Sequence, residues 1–188
     1  MMKKLLIMLL SVMMLSTAQA QKQPVGMRVE VAETETDHGE YTIFTYKDTD
    51  DDDSFGYYLS LGRVTDFLGA DEILGMEVKN FHEVTICLGS NTNEALATIG
   101  AILDLYDKEV DTTVEFQGRA ATNGFKLGEP VTTSCMVVKK ILGGKRLQFL
   151  FPEGNRLARA YLSKSTLKVL RTSFKIDMKL HPKQHRKQ

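Results

Sequence analysis

The sequence predicts an α+β protein made mostly of antiparallel sheet, with two helices packed on it. Three observations lead there. Apolar residues alternate with polar ones in several short segments, the period of a half-buried strand. In the second half, glycine pairs or Gly-Asn separate such segments at Gly143-Gly144 and Gly154-Asn155, as in a meander. Two stripes, Leu96–Ile99–Leu103 and Leu167–Leu170–Phe174, step by three and then four, and each follows a strand ending in leucine, Leu88 or Leu162. Together these suggest two tandem ββββα units, 27–109 and 112–180, within one domain over 21–181. Several two-sheet architectures share this plan, including some that bind single-stranded nucleic acid, but a plan shared at the level of fold carries no function.

Residues 1–20 read as a cleaved signal peptide. Lys3 and Lys4 precede an apolar run from Leu5 to Leu15, and Ala18-Gln19-Ala20 supplies the small side chains that signal peptidase requires. The run is about half the roughly 20 apolar residues of a spanning helix. The mature chain is expected to begin at Gln21 with no transmembrane segment, and to be periplasmic or secreted from a bacterial cell.

Met27–Thr36 reads as a strand with Val29 and Val31 on one face. Asp37-His38-Gly39 signals a turn into the β-prone run Tyr41–Tyr46, whose branched and aromatic side chains suit a pleated surface. Tyr57–Leu61 is a returning strand, and the connection from Val64 to Gly75 has room for one helical turn at Thr65–Leu68. Phe81–Leu88 alternates, with His82, Val84, Ile86 and Leu88 on one face. Asn91 caps the first helix, with Glu94 at the reciprocal position. Strands follow over Thr112–Gln117, Thr132–Leu142, Arg146–Phe151 and Arg156–Leu162, and Ser163 caps the second helix. Phe174, Ile176, Met178 and Leu180 alternate with polar residues, so this helix is open to ending near Thr172 and passing into a strand.

The charge balances overall but not along the chain. Ten acidic residues and one lysine lie between Val29 and Asp53, whereas eight lysines and arginines and one acid lie from Lys164 to the end. Residues 182–188 read as a flexible basic tail, in which Lys183, Arg186 and Lys187 are positioned to contact a polyanion.

Candidate sites are few. Asp48, Asp50 and Asp52 have the one-three-five spacing of a calcium loop, but its sixth position is Asp53 in place of glycine and its twelfth is Leu59 in place of glutamate. They are weak cation candidates on an acidic hairpin tip. Gly89-Ser90-Asn91 puts backbone N–H groups at a helix start, without the spacing of a phosphate loop. His181 and His185 are four apart, but Pro182 interrupts any helix through them, and no zinc site is expected. Cys87 and Cys135 leave a disulfide open in an oxidising compartment; it would close a loop of about fifty residues, worth up to ~4 kcal/mol. No catalytic motif is present and no cofactor is implied.

The leading expectation is therefore an exported, non-catalytic binding or structural protein of the cell envelope. Its partner would be another envelope protein or an anionic surface rather than nucleic acid. One alternative is an exported hydrolase whose site assembles from distant residues. Another is a polyanion-binding surface protein that uses the basic C-terminus.

Overall fold

A computed structural model describes residues 26–36, 39–48, 55–64, 66–68, 82–122, 126–141, 143–153 and 156–185. Residues 1–25 and most of the acidic run from Asp48 to Asp53 lie outside them. The described elements are strands β1 (Met27–Thr36), β2 (Gly39–Lys47), β3 (Gly56–Val64), β4 (Asp66–Leu68) and β5 (His82–Gly89), helix α1 (Thr92–Leu105), strands β6 (Thr113–Thr122), β7 (Lys126–Lys139), β8 (Lys145–Glu153) and β9 (Arg156–Leu162), and helix α2 (Lys164–Leu180).

All strands join one antiparallel sheet in the order β1-β2-β3-β5-β6-β7-β8-β9-β4. Apart from β4, this is two four-stranded meanders laid side by side, each followed by a helix. The segment expected to form a helical turn is instead β4, whose register pairs Asp66 with Arg159 and Leu68 with Leu157. Only Thr65 separates β3 from β4, so one run of chain serves the first meander and then caps the far edge of the second. The sheet is thereby curled. The Tyr41 hydroxyl on β2 reaches across it to donate to the Tyr161 carbonyl on β9 at 2.8 Å.

The core lies on the inner face, under the two helices. Ile43, Leu59, Ile86, Leu147 and Phe149 from the strands are fully buried with Ile99, Ile102, Leu167, Leu170 and Phe174 from the helices. Each such side chain contributes about 1.5–3 kcal/mol relative to leaving it in water. Helix α1 lies on β5, while α2 returns to β1 and β2, so the last helix covers the first hairpin. Tyr106, just past α1, donates to the Leu162 carbonyl at the end of β9 at 2.7 Å, which ties the halves together from the other side.

One expectation is corrected by this packing, and two alternatives left open by the sequence are decided. A bulge between Glu30 and Ala32 inserts Val31 as an extra residue, so Val31 is buried while Val29 is 36% exposed. Helix α2 runs unbroken to Leu180: Leu167, Leu170, Phe174 and Met178 face the core, while Ile176 and Leu180 face solvent, which leaves no strand-like face. Cys87 and Cys135 are free thiols on opposite faces of the sheet. Cys135 belongs to the main core, and Cys87 packs on a smaller outer cluster of Phe44, Tyr46, Tyr58 and Leu127. A disulfide needs Cβ atoms about 4 Å apart, which side chains leaving the sheet in opposite directions do not offer.

The outer cluster exists because the distal end of the β6–β7 hairpin folds back over β2 and β3. Leu127 lands among Phe44, Tyr46 and Tyr58, and Arg119 lies against Tyr58. Gly118 lets β6 approach β5 closely: a Cβ there would stand 2.4 Å from the Thr85 carbonyl oxygen and 3.0 Å from Phe151. On the same outer face the Arg28 guanidinium lies 3.9 Å from the Phe44 ring centroid.

Candidate functional site

The densest group of ionisable side chains among the described residues forms where α2 ends. Asp177 and His181 sit one turn apart, and the His181 N–H donates to the Asp177 carbonyl to close the helix. Pro182 then breaks it. Gln184 N–H bonds back to the His181 carbonyl at 3.0 Å, and the resulting turn swings His185 under the helix. The Asp177 carboxylate is thus held at both oxygens, Oδ1 by His181 Nδ1 at 2.7 Å and Oδ2 by His185 Nε2 at 2.8 Å. The other ring nitrogen of His185, Nδ1, meets the Tyr57 hydroxyl of β3 at 2.9 Å.

The surroundings are apolar. Tyr57 is fully buried, and the His185 side chain is 5% exposed. Phe174 packs against both rings, 5.5 Å from the centroid of Tyr57 and 5.8 Å from that of His185. His181, 54% exposed, opens to water, and the Asp177 side chain is 19% exposed. With His185 neutral, Nε2–H donates to Asp177 and Nδ1 accepts from Tyr57. With His185 protonated, Nδ1–H donates to the tyrosine oxygen instead, so the tyrosine serves either state. Burial first, and the negative charge of Asp177 second, push the Tyr57 pKa up to about 12. That direction is opposite to the one an activated nucleophile needs.

The residues nominated by the sequence are dispersed. Asp48 is half-buried, and Asp50 and Asp52 lie outside the described residues. No group of three His, Cys, Asp or Glu side chains among the described residues could hold a metal ion. At the start of α1, Asn91 Oδ1 accepts from the Glu94 N–H at 3.0 Å as expected, but Glu94 reaches one residue further back than the capping pattern implies. Its Oε2 accepts from Ser90 N at 2.7 Å and Ser90 Oγ at 3.0 Å. The protein's own carboxylate therefore occupies the N–H position considered for an anion. Lys183 is exposed, and Arg186, Lys187 and His38 fall outside the described residues. His82 opens β5 opposite Val64. Burial pushes the Cys135 thiol up to about 12, which makes it a poor nucleophile.

Sequence reasoning assigned His185 to a flexible tail, and the structure corrects this: the chain is anchored as far as His185. The recurrence of Asp177, His181 and His185 at steps of four was a usable signal. Tyr57, 128 residues away from His185 along the chain, carried none. No protein-family model, curated protein or solved structure matches this chain. Among the described residues, no helix is long and apolar enough to cross a membrane.

Proposed function

We propose that this chain is an exported, non-catalytic binding or structural protein of the bacterial cell envelope. One observation carries the non-catalytic part: in the group best equipped for chemistry, the reactive atoms face one another and not a substrate. Both Asp177 oxygens and both His185 nitrogens are engaged, and the terminal hydroxyl is buried with a raised pKa. Such a network locks the C-terminal turn onto the sheet. Export is supported by the lysine-led apolar run ending in Ala18-Gln19-Ala20.

The test is fractionation of the native cell, with mass spectrometry of the protein's N-terminus. A chain starting at Gln21 in the periplasm or medium supports the reading; a chain retaining Met1 in the cytosol overturns it.

A second reading, an exported hydrolase, is favoured by the order Tyr57–His185–Asp177, a hydroxyl, an imidazole and a carboxylate in series. Purified protein assayed on chromogenic esters, phosphates and glycosides separates the two. Turnover that disappears in Tyr57→Phe establishes the hydrolase, whereas inertness of both proteins supports the binding reading.

A further inference from the structure

The β7–β8 hairpin ends in Lys139-Lys140-Ile141-Leu142-Gly143-Gly144-Lys145-Arg146. Lys139 pairs with Lys145 at the last rung of the ladder. Beyond it the Lys140 N–H donates to the Gly144 carbonyl at 3.0 Å, and Gly143 N–H donates back to the Lys140 carbonyl at 3.2 Å. Gly143 and Gly144 take φ of 92° and 80°, the left-handed conformation that lets the chain reverse this tightly. The result is an apex that projects Ile141 completely, at 101% of its reference exposure. Other exposed apolar side chains lie along strands, loops and helices; this one stands at the tip of a hairpin.

The collar below the apex is cationic. Lys139 and Lys140 are exposed, with no carboxylate partner among the described residues, and Lys145 and Arg146 are half-buried. No acidic residue occurs in the sequence from Val131 to Pro152. Lys139 and Lys145 are cross-strand neighbours at this rung, so the two strands bring like charges to the same end of the hairpin. Arg146 is held rigid, its guanidinium 3.7 Å from the Tyr161 ring centroid. The neighbouring loop brings Asp107, Glu109 and Asp111, but Asp107 is already paired with Lys164 at 2.8 Å. Lys145 Nζ is turned to the Lys108 carbonyl, which adds another cation at this end.

We infer that this hairpin tip docks on a bilayer carrying anionic phosphate headgroups. Ile141 enters the boundary between headgroups and acyl chains, and the exposed Lys139 and Lys140 rest on the phosphates. A soluble polyanion would use the cations but gain nothing from an apolar apex. A bilayer interface rewards both, because it is apolar below a charged plane. The binding is reversible, since one described aliphatic side chain and two exposed cations fall far short of a membrane anchor. This deepens the envelope reading by naming the surface. Vesicle binding by the purified chain reads the hairpin alone and fractionation reads location, so either can fail without the other.

The experiment is co-sedimentation of the mature chain with vesicles of phosphatidylglycerol and phosphatidylcholine in equal parts, against pure phosphatidylcholine. Binding to the anionic vesicles alone, weakened by added salt, is expected. The pair Lys139→Glu and Lys140→Glu reduces it at least tenfold, and Ile141→Ser reduces it severalfold, with unchanged circular dichroism because all three side chains lie outside the core. No vesicle binding overturns the inference. So does binding that is indifferent to Ile141→Ser and reproduced on heparin, which would make the hairpin a polyanion site.

Discussion

Replacing Tyr57 with phenylalanine removes one oxygen atom and leaves the ring where it is, fully buried and 5.5 Å from the centroids of both Phe174 and Phe55. The lost contact is the 2.9 Å hydrogen bond to His185 Nδ1. Because the His185 side chain is 5% exposed, water does not readily replace the hydroxyl, and Nδ1 is left without a partner. A buried polar atom stranded in this way costs about 1–3 kcal/mol, more than the ~0.5–1.5 kcal/mol net value of the bond. For a chain of this size each kcal/mol moves Tm by about 2–4 °C, so a fall of roughly 2–12 °C is expected. Thermal melting followed by circular dichroism measures it, and urea unfolding reads the same loss as a shifted midpoint with unchanged slope. His185→Ala and the double variant complete a cycle. Since the two side chains form one network, the double variant is less destabilised than the singles added together. Tyr57→Phe within ~0.3 kcal/mol of the native protein, or additive effects, would refute the lock.

Other expectations concern different parts of the fold. Gly118→Ala drives a methyl group against the Thr85 carbonyl, and since backbone cannot step aside cheaply a loss of about 1–3 kcal/mol is expected on urea unfolding. Asn91→Ala removes the acceptor for the Glu94 N–H and costs ~1 kcal/mol in the same assay, with Ser163→Ala comparable for α2. Cys135 and Tyr57 stay protonated to about 12 in the fold, against ordinary values of 9.0 and 10.0. The unfolded chain therefore loses its protons first. Their stabilising contribution is complete below pH 9 and disappears as pH rises through 12, which a series of unfolding curves across that range reads directly. In native protein at pH 8 a thiol reagent leaves Cys135 unlabelled and reacts with Cys87 first.

What the sequence disclosed follows from the range of the forces involved. The second meander was legible because Gly143-Gly144 acts locally on the backbone, and both helices because Asn91 and Ser163 cap them within three residues. The end of α2 was ambiguous because Phe174 and Met178 satisfy a helical and a strand period alike; only the location of the core decides between them. The bulge at Val31 and the crossing from β3 to β4 depend on partners far along the chain, Ile43 in one case and β9 in the other, so no local pattern marks them. The Tyr57–His185 contact is hidden for the same reason. The cationic hairpin tip was fully written in the sequence, but its significance depends on Ile141 finding no cover, which is a property of the finished surface.

The bulge in β1 has an effect beyond the burial of Val31. In the described sheet β1 is one outermost strand and the three-residue β4 is the other, so β1 carries the long row of unpaired peptide groups. A passing chain that tried to zip onto it would meet an interrupted ladder at Glu30–Ala32 and the exposed carboxylates of Glu30, Glu33 and Glu35. Both obstruct templated growth. The long edge of the described sheet is thus finished with a rim that disfavours strand addition from a second copy.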